Sequence, residues 1–176
     1  MRKLSALFLG FAFFANLYGF TVGAGLAGYD LARTGRSFSL IADAALPIIP
    51  TIYWRAGLFN LNFHLEPQMT DVRLGTGLSS DLLFFVPVDI PVTPYLITGV
   101  LAGFYTEEYM GQNTSVTFVD LKAGLGGQTD IGPVFGYLEL GTNFSITMPS
   151  DGDTQTDFPI FVQLGIRKPL KFKISR

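Results

Sequence analysis

The chain has 176 residues, 48% of them hydrophobic and only 15% charged, which fits one domain with a sizeable core and excludes a disordered or strongly polar class. A formal net charge of -2 leaves no basic excess for nucleic acid, and the absence of cysteine excludes a disulfide framework, a thiolate nucleophile and a thiolate-ligated metal or cluster. Seventeen phenylalanines, seven tyrosines and 20 glycines favour sheet over helix.

The first nineteen residues read as a targeting segment. Arg2 and Lys3 form a positive start, ALFLGFAFFA (6–15) is an apolar stretch, and Ala15, Leu17 and Gly19 precede a cut before Phe20. A retained membrane helix over 4–20 is the other interpretation. We read residues 1–19 as a cleaved signal peptide and 20–176 as the mature domain, exported and carrying no further stretch of the ~20 apolar residues that a spanning helix needs.

From Phe20 onward, eight segments read as strands: 20–30, 37–46, 52–65, 71–86, 94–106, 115–127, 133–148 and 158–168. Each reaches the roughly 9–11 residues with which a tilted strand crosses a bilayer, and an even number returns both ends to one side. The breaks alternate in kind. LPIIPT (46–51), VDIPVTP (88–94) and TDIGP (129–133) are short and carry proline, which suits turns because proline donates no amide proton. LEPQMTD (65–71), TEEYMGQNTS (106–115) and MPSDGDTQTD (148–157) are polar and acidic, and ARTGRS (32–37) is a short basic fourth member. Short turns on one side and longer polar loops on the other are the asymmetry of a membrane barrel. A spacing of about forty residues repeats a pattern in three places: Pro50, Tyr53, Gly57; Pro94, Tyr95, Gly99; Pro133, Tyr137, Gly141. It places each tyrosine just above a turn, where an aromatic girdle would meet lipid headgroups.

Period-two alternation is clearest in the second half. Thr117, Val119, Leu121, Ala123 and Leu125 oppose Phe118, Asp120, Lys122, Gly124 and Gly126. Val134, Leu138, Leu140, Phe144 and Ile146 oppose Phe135, Tyr137, Glu139, Gly141, Asn143 and Ser145, and Ile160, Val162, Leu164 and Ile166 oppose Phe161, Gln163, Gly165 and Arg167. One face apolar and the other polar or small is a lipid face and a lumen face. In the third segment Arg55 falls out of phase with Asn60 and Asn62, which calls for a bulge near Gly57.

Eight charges sit mid-strand: Asp43, Arg55, Arg73, Asp81, Asp120, Lys122, Glu139 and Arg167. Facing lipid, each would cost up to a few kcal/mol. Facing inward, four acids and four bases can pair, and an eight-stranded barrel is just wide enough for side chains to fill. The set therefore predicts a plugged lumen with an internal salt-bridge network. A proton or ion path along the same residues is the alternative.

Other motifs point to less. His64, the only histidine, would be the base of a lipid-modifying hydrolase if Ser79 or Ser80, with Asp81, lay in reach; the plainer assignment is a polar rim residue. Asp151, Asp153 and Asp157 have the carboxylate spacing of a calcium-loop fragment but lack the downstream bidentate glutamate, so a solvated loop is preferred. The long loops carry Glu66, Asp71, Glu107, Glu108, Asp151, Asp153 and Asp157 with no lysine or arginine among them, a rim that would gather divalent cations shared with lipopolysaccharide phosphates. RKPLKFKISR (167–176) is a basic end on the opposite side, read as a capping tail with contact to anionic headgroups as the alternative. GAGLAG (23–28) lacks the helix and acidic residue of a dinucleotide-binding loop, and lumen glycines that make room for bulky neighbours explain it better. No cofactor and no catalytic or metal site is read from the sequence.

TPYLITGVLAG (93–103), following a proline turn, resembles the Pro-Tyr strand with spaced glycines of the OmpA/OmpX-like small outer-membrane barrels. FVQLGIRKPLKF (161–172) is similar to the C-terminal strand by which that class is recognised by the barrel-assembly machinery, with Gly165 and Phe172, though Pro169 and four residues after Phe172 depart from the pattern. The resemblance implies an all-β, eight-stranded antiparallel up-and-down transmembrane barrel, surrounded by outer-membrane lipids and lipopolysaccharide. The function expected is non-enzymatic, structural or surface-interacting, through acidic extracellular loops. A narrow channel and a soluble lipocalin-like periplasmic ligand-binding barrel are the alternatives, and mid-strand charges argue against the second because its interior should be apolar.

Overall fold

The computed structural model describes residues 20–29, 36–65, 72–109, 112–150 and 152–170; at 36–37, 58–60, 62–65, 72–74, 107–109 and 112–113 the backbone alone is described. The signal-peptide segment 1–19 and the basic end 171–176, including Phe172, lie outside the described residues. The strands are β1 (Phe20–Tyr29), β2 (Arg36–Ile49), β3 (Ile52–Leu65), β4 (Val72–Phe85), β5 (Thr93–Tyr109), β6 (Gln112–Ile131), β7 (Val134–Pro149), β8 (Gln155–Asp157) and β9 (Ile160–Leu170).

Each of β1 to β7 pairs antiparallel with its successor, β7 pairs with β9, and β9 returns to β1, closing the sheet into a ring of eight wall strands. The short β8 is the upper part of the last wall strand. It pairs Ser145 with Asp157, and β9 pairs Thr142 with Ile160 in the same register. The break falls at Phe158–Pro159, where proline has no N–H to give the ladder, although its carbonyl still accepts from Asn143 N at 2.9 Å. Closure leaves no sheet edge along the wall, so the backbone groups there are satisfied internally, as a membrane demands.

The expected bulge is present. Register shifts by one residue between Ala42 and Asp43 on β2 and between Gly57 and Asn60 on β3, which brings Arg55 onto the same face as the residues beyond it. The turns are tighter than expected. Strand β2 runs through Pro47 at a second irregularity and leaves only Pro50–Thr51 as turn. Strand β6 likewise continues to Ile131, and Gly132, at φ 64°, makes the reversal into β7 with Pro133. That left-handed conformation is one that glycine adopts without a Cβ penalty.

The polar segments also need correcting. Most of 106–115 is strand: Glu107 and Glu108 belong to β5 and pair with Thr114 and Asn113 of β6, not to a loop. Asp157 belongs to β8. Polarity misled here because a strand extending beyond the bilayer is wetted on both faces, so it loses apolar alternation without losing its ladder.

The barrel is inside-out relative to a soluble one. Leu78, Leu125, Leu138, Leu140 and Ile160 on the outer wall are each more than half exposed. Asp43, Arg55, Asp81, Glu139, Asn143, Gln163 and Arg167 inside are nearly inaccessible. A water-soluble protein reverses this distribution. The lumen face is not wholly polar or small, however, since Leu83, Tyr95, Ile97 and Phe161 form an apolar cluster within it.

Candidate functional site: the filled lumen

Because β-strand side chains alternate, each inward residue is set by parity from its strand. Strand β3 contributes Arg55, β4 Asp81, β2 Asp43, β6 Asp120 and Lys122, β7 Glu139 and Asn143, and β9 Gln163 and Arg167; all are buried. Seven of the eight charges expected in the lumen are thus inside. The eighth, Arg73, has a described backbone in β4, eight positions above Asp81, and a side chain outside the description.

Arg55 is the hub. Its Nε donates to Asp81 Oδ2 at 2.8 Å on the neighbouring strand. Its Nη1 and Nη2 reach across the barrel to Glu139 Oε1 and Oε2 at 2.6 and 3.0 Å. That two-pronged contact between β3 and β7 is the pairing for which the planar guanidinium is suited. Glu139 also accepts from Tyr95 Oη at 2.7 Å and from Arg167 Nη2 at 3.2 Å. Arg167 Nε stands 3.6 Å from Asp43, and Lys122 Nζ 3.6 Å from Asp81. The cations are also shielded by rings, Arg167 lying 3.8 Å from the Tyr137 centroid and Lys122 5.1 Å from that of Phe161. Asp120 is held apart from this centre and accepts from Asn143 Nδ2 at 3.2 Å.

Glycines make the space. Tyr95 pairs with Gly126, where a Cβ would overlap the phenol ring, and the Tyr137 hydroxyl occupies the room left by Gly25 and Gly165. Gly25 comes from the GAGLAG stretch, in agreement with the lumen assignment. The tyrosine girdle is a correction, because Tyr95 and Tyr137 are buried inside and Tyr53 packs against the inner cluster. Parity forces this outcome. Tyr95 shares a face with Gly99, and Tyr137 with Glu139. The alternation of 134–147 already carried the signal for Tyr137, and the pairing of tyrosine with glycine across strands was the one missed.

What remains empty is small. Amid the network, a cavity of about 10 Å³ is bounded by Tyr29, Asp43, Arg55, Asp81, Lys122 and Gln163, among others. That is about the room of a single water. A larger cup of about 280 Å³ opens at the turn end.

The remaining candidates are scattered. Backbone register sets Ser79 against Gly57, seven positions along β3 from His64, or roughly 23 Å at strand rise. The histidine is therefore out of reach of either serine, and Ser80 instead accepts from Trp54 Nε1 at 2.9 Å on the outer wall. The side chain of His64, those of Glu107 and Glu108, and the whole of Glu66, Asp71 and Asp151 lie outside the description. Asp153 is exposed between β7 and β8, and Asp157 Oδ1 accepts from Phe158 N at 2.8 Å.

No family model matches the chain, and no curated protein matches it. Solved structures do. Neisserial surface protein A is similar over 86% of this chain and 97% of its own, at 14% identity and a TM-score of 0.60. The fold is that of the small eight-stranded outer-membrane barrels. The N-terminal barrel domain of Pseudomonas aeruginosa OprF matches 85% of this chain and 97% of its own, with 11% identity and a TM-score of 0.55. A major outer membrane protein from Thermus thermophilus covers 87% of this chain and matches along 100% of its own, with 12% identity and a TM-score of 0.51. At these identities the likeness concerns architecture, and activity has to be argued from the residues.

Proposed function

We propose that the chain is an integral outer-membrane barrel that catalyses no reaction and whose lumen is sealed, acting in a structural or surface-interaction role through the polar strand ends and acidic connections opposite the proline turns. The observation that carries this proposal is the Arg55–Glu139 bridge across the lumen, with room for about one water beside it. A pore needs a continuous polar void, whereas here side chains from both sides meet in the middle. The apolar outer wall suits lipid, and the protein-like packing inside suits a rigid mount for the parts that project. Outer-membrane lipids and lipopolysaccharide are the proposed surroundings, with the barrel-assembly machinery as the partner during insertion and the acidic rim as a place where divalent cations bridge to lipid phosphates. No surface partner is assigned.

The test begins with protein 20–176 refolded in detergent and run in SDS, boiled beside unboiled. A sealed barrel migrates differently before and after boiling. Identical mobility, with the protein remaining soluble once detergent is withdrawn, would overturn the membrane assignment and favour a periplasmic ligand-binding barrel. Adding calcium or magnesium to lipopolysaccharide-containing bilayers should raise the melting temperature if the acidic rim bridges cations; an unchanged profile removes that part.

A further inference from the structure

We propose that the turn end of the lumen is a binding cup for a short-chain or single-ring carboxylate. Each of the eight wall strands supplies an inward residue to its lining, so it is a closed-bottomed recess and not a crevice between two elements. Its walls are apolar: Leu83 and Phe85 from β4, Phe135 from β7, and the Tyr53 ring, which meets Phe85 edge-on at 5.0 Å. Its volume of about 280 Å³ lies at the lower edge of small-molecule pockets, roughly 300–1,000 Å³, which restricts the guest to a short chain or one ring.

Among the lining residues, Arg167 alone is charged. It is 2% exposed and fixed over Tyr137, so its guanidinium is preorganised. Its ties to the network are also the loose ones. They measure 3.2 Å to Glu139 and 3.6 Å to Asp43, against 2.6–3.0 Å for the bonds of Arg55 to Glu139, and Nε makes no hydrogen bond. Glu139, the acid it shares, is already held by Arg55 and Tyr95. Arg167 thus retains donor capacity beside an apolar recess. An apolar body against Leu83 and Phe85, with an oxygen head at the guanidinium, matches both features. The ligand would enter from the side of the proline turns, away from the acidic strand ends, and nothing in the proposed surface role uses this cup.

Saturation-transfer NMR on the refolded barrel tests the proposal, with hexanoate as probe and hexanol as comparator. Hexanoate should give a saturable signal and bind about tenfold more tightly than hexanol, the weight of one charge-assisted hydrogen bond. Thr21→Phe, which fills the cup without touching the ion pairs, should abolish the signal, and Arg167→Met should erase the preference for hexanoate. An Arg167→Met barrel that fails to fold is replaced by Arg167→Lys, for which the preference should fall several-fold. Undiminished signal in Thr21→Phe would show partition into detergent and overturn the site. Equal affinity for hexanoate and hexanol in the native barrel would overturn the carboxylate assignment.

Discussion

Glu139→Gln keeps the shape of the side chain and removes the charge on which the lumen converges. Glu139 is 0% exposed and accepts two bonds from Arg55, one from Arg167 and one from Tyr95. Glutamine offers one oxygen, and its amide would turn a donor toward an arginine donor. Breaking a buried ion pair by removing one partner costs about 3–5 kcal/mol. Two arginines lose a carboxylate here, but Arg55 keeps Asp81 at 2.6 Å and Arg167 keeps Asp43 at 3.6 Å. The loss expected is therefore about 3–5 kcal/mol for the one shared anion, and not twice that. Urea unfolding in lipid nanodiscs, followed by the fluorescence of Trp54, the single tryptophan, gives the number. Thr98→Val on the outer wall serves as the control and should stay within about 0.5 kcal/mol. Adding Arg167→Met to Glu139→Gln should restore part of the loss, since it removes one unpaired cation. A Glu139→Gln barrel within about 1 kcal/mol of the native one, well short of that cost, would refute the view that the network holds the lumen together.

Three further outcomes follow from the same geometry. Gly126→Val drives a side chain into the Tyr95 ring and should destabilise by about 1–3 kcal/mol, with recovery when Tyr95→Leu is added; equal loss in the double variant would contradict the steric account. Gly132→Ala meets no atom within 4 Å, so only its φ of 64° is at stake, and a loss of about 1–2 kcal/mol is expected in the same unfolding assay. Leu140→Arg, on the outer wall, should cost about 2–4 kcal/mol in a bilayer if Leu140 lies near the midplane, and far less in micelles, where the arginine reaches water. An arginine equally tolerated in both media would place that wall outside the hydrocarbon.

The architecture was legible because a barrel wall writes its two environments in period two. From Thr117 to Gly126 and from Ile160 to Arg167, every second residue alternates between lipid and lumen, and the strands stand where the alternation begins and ends. The bulge at Gly57 was legible for the same reason, as a break in phase at Arg55. Where alternation stops being informative, the boundaries drifted: Glu107, Glu108 and Asp157 are strand residues whose two faces are both polar. Pairing partners were not legible. That Arg55 meets Glu139, 84 positions away, follows from which strands face one another across the ring and from how far β3 is staggered against β7. A single sequence records neither. The tyrosines show the limit most clearly, for a tyrosine above a turn suits a headgroup girdle or a lumen equally. The choice depends on whether a glycine stands opposite, as Gly126 does for Tyr95.

Planar-bilayer recording of the refolded, heat-modifiable protein tests the sealed barrel most directly. The account predicts insertion without discrete conductance steps, because Arg55 and Glu139 close the lumen from opposite walls. Regular, reproducible open steps from the native protein, abolished by boiling, would contradict it and make the same charged residues the lining of a channel.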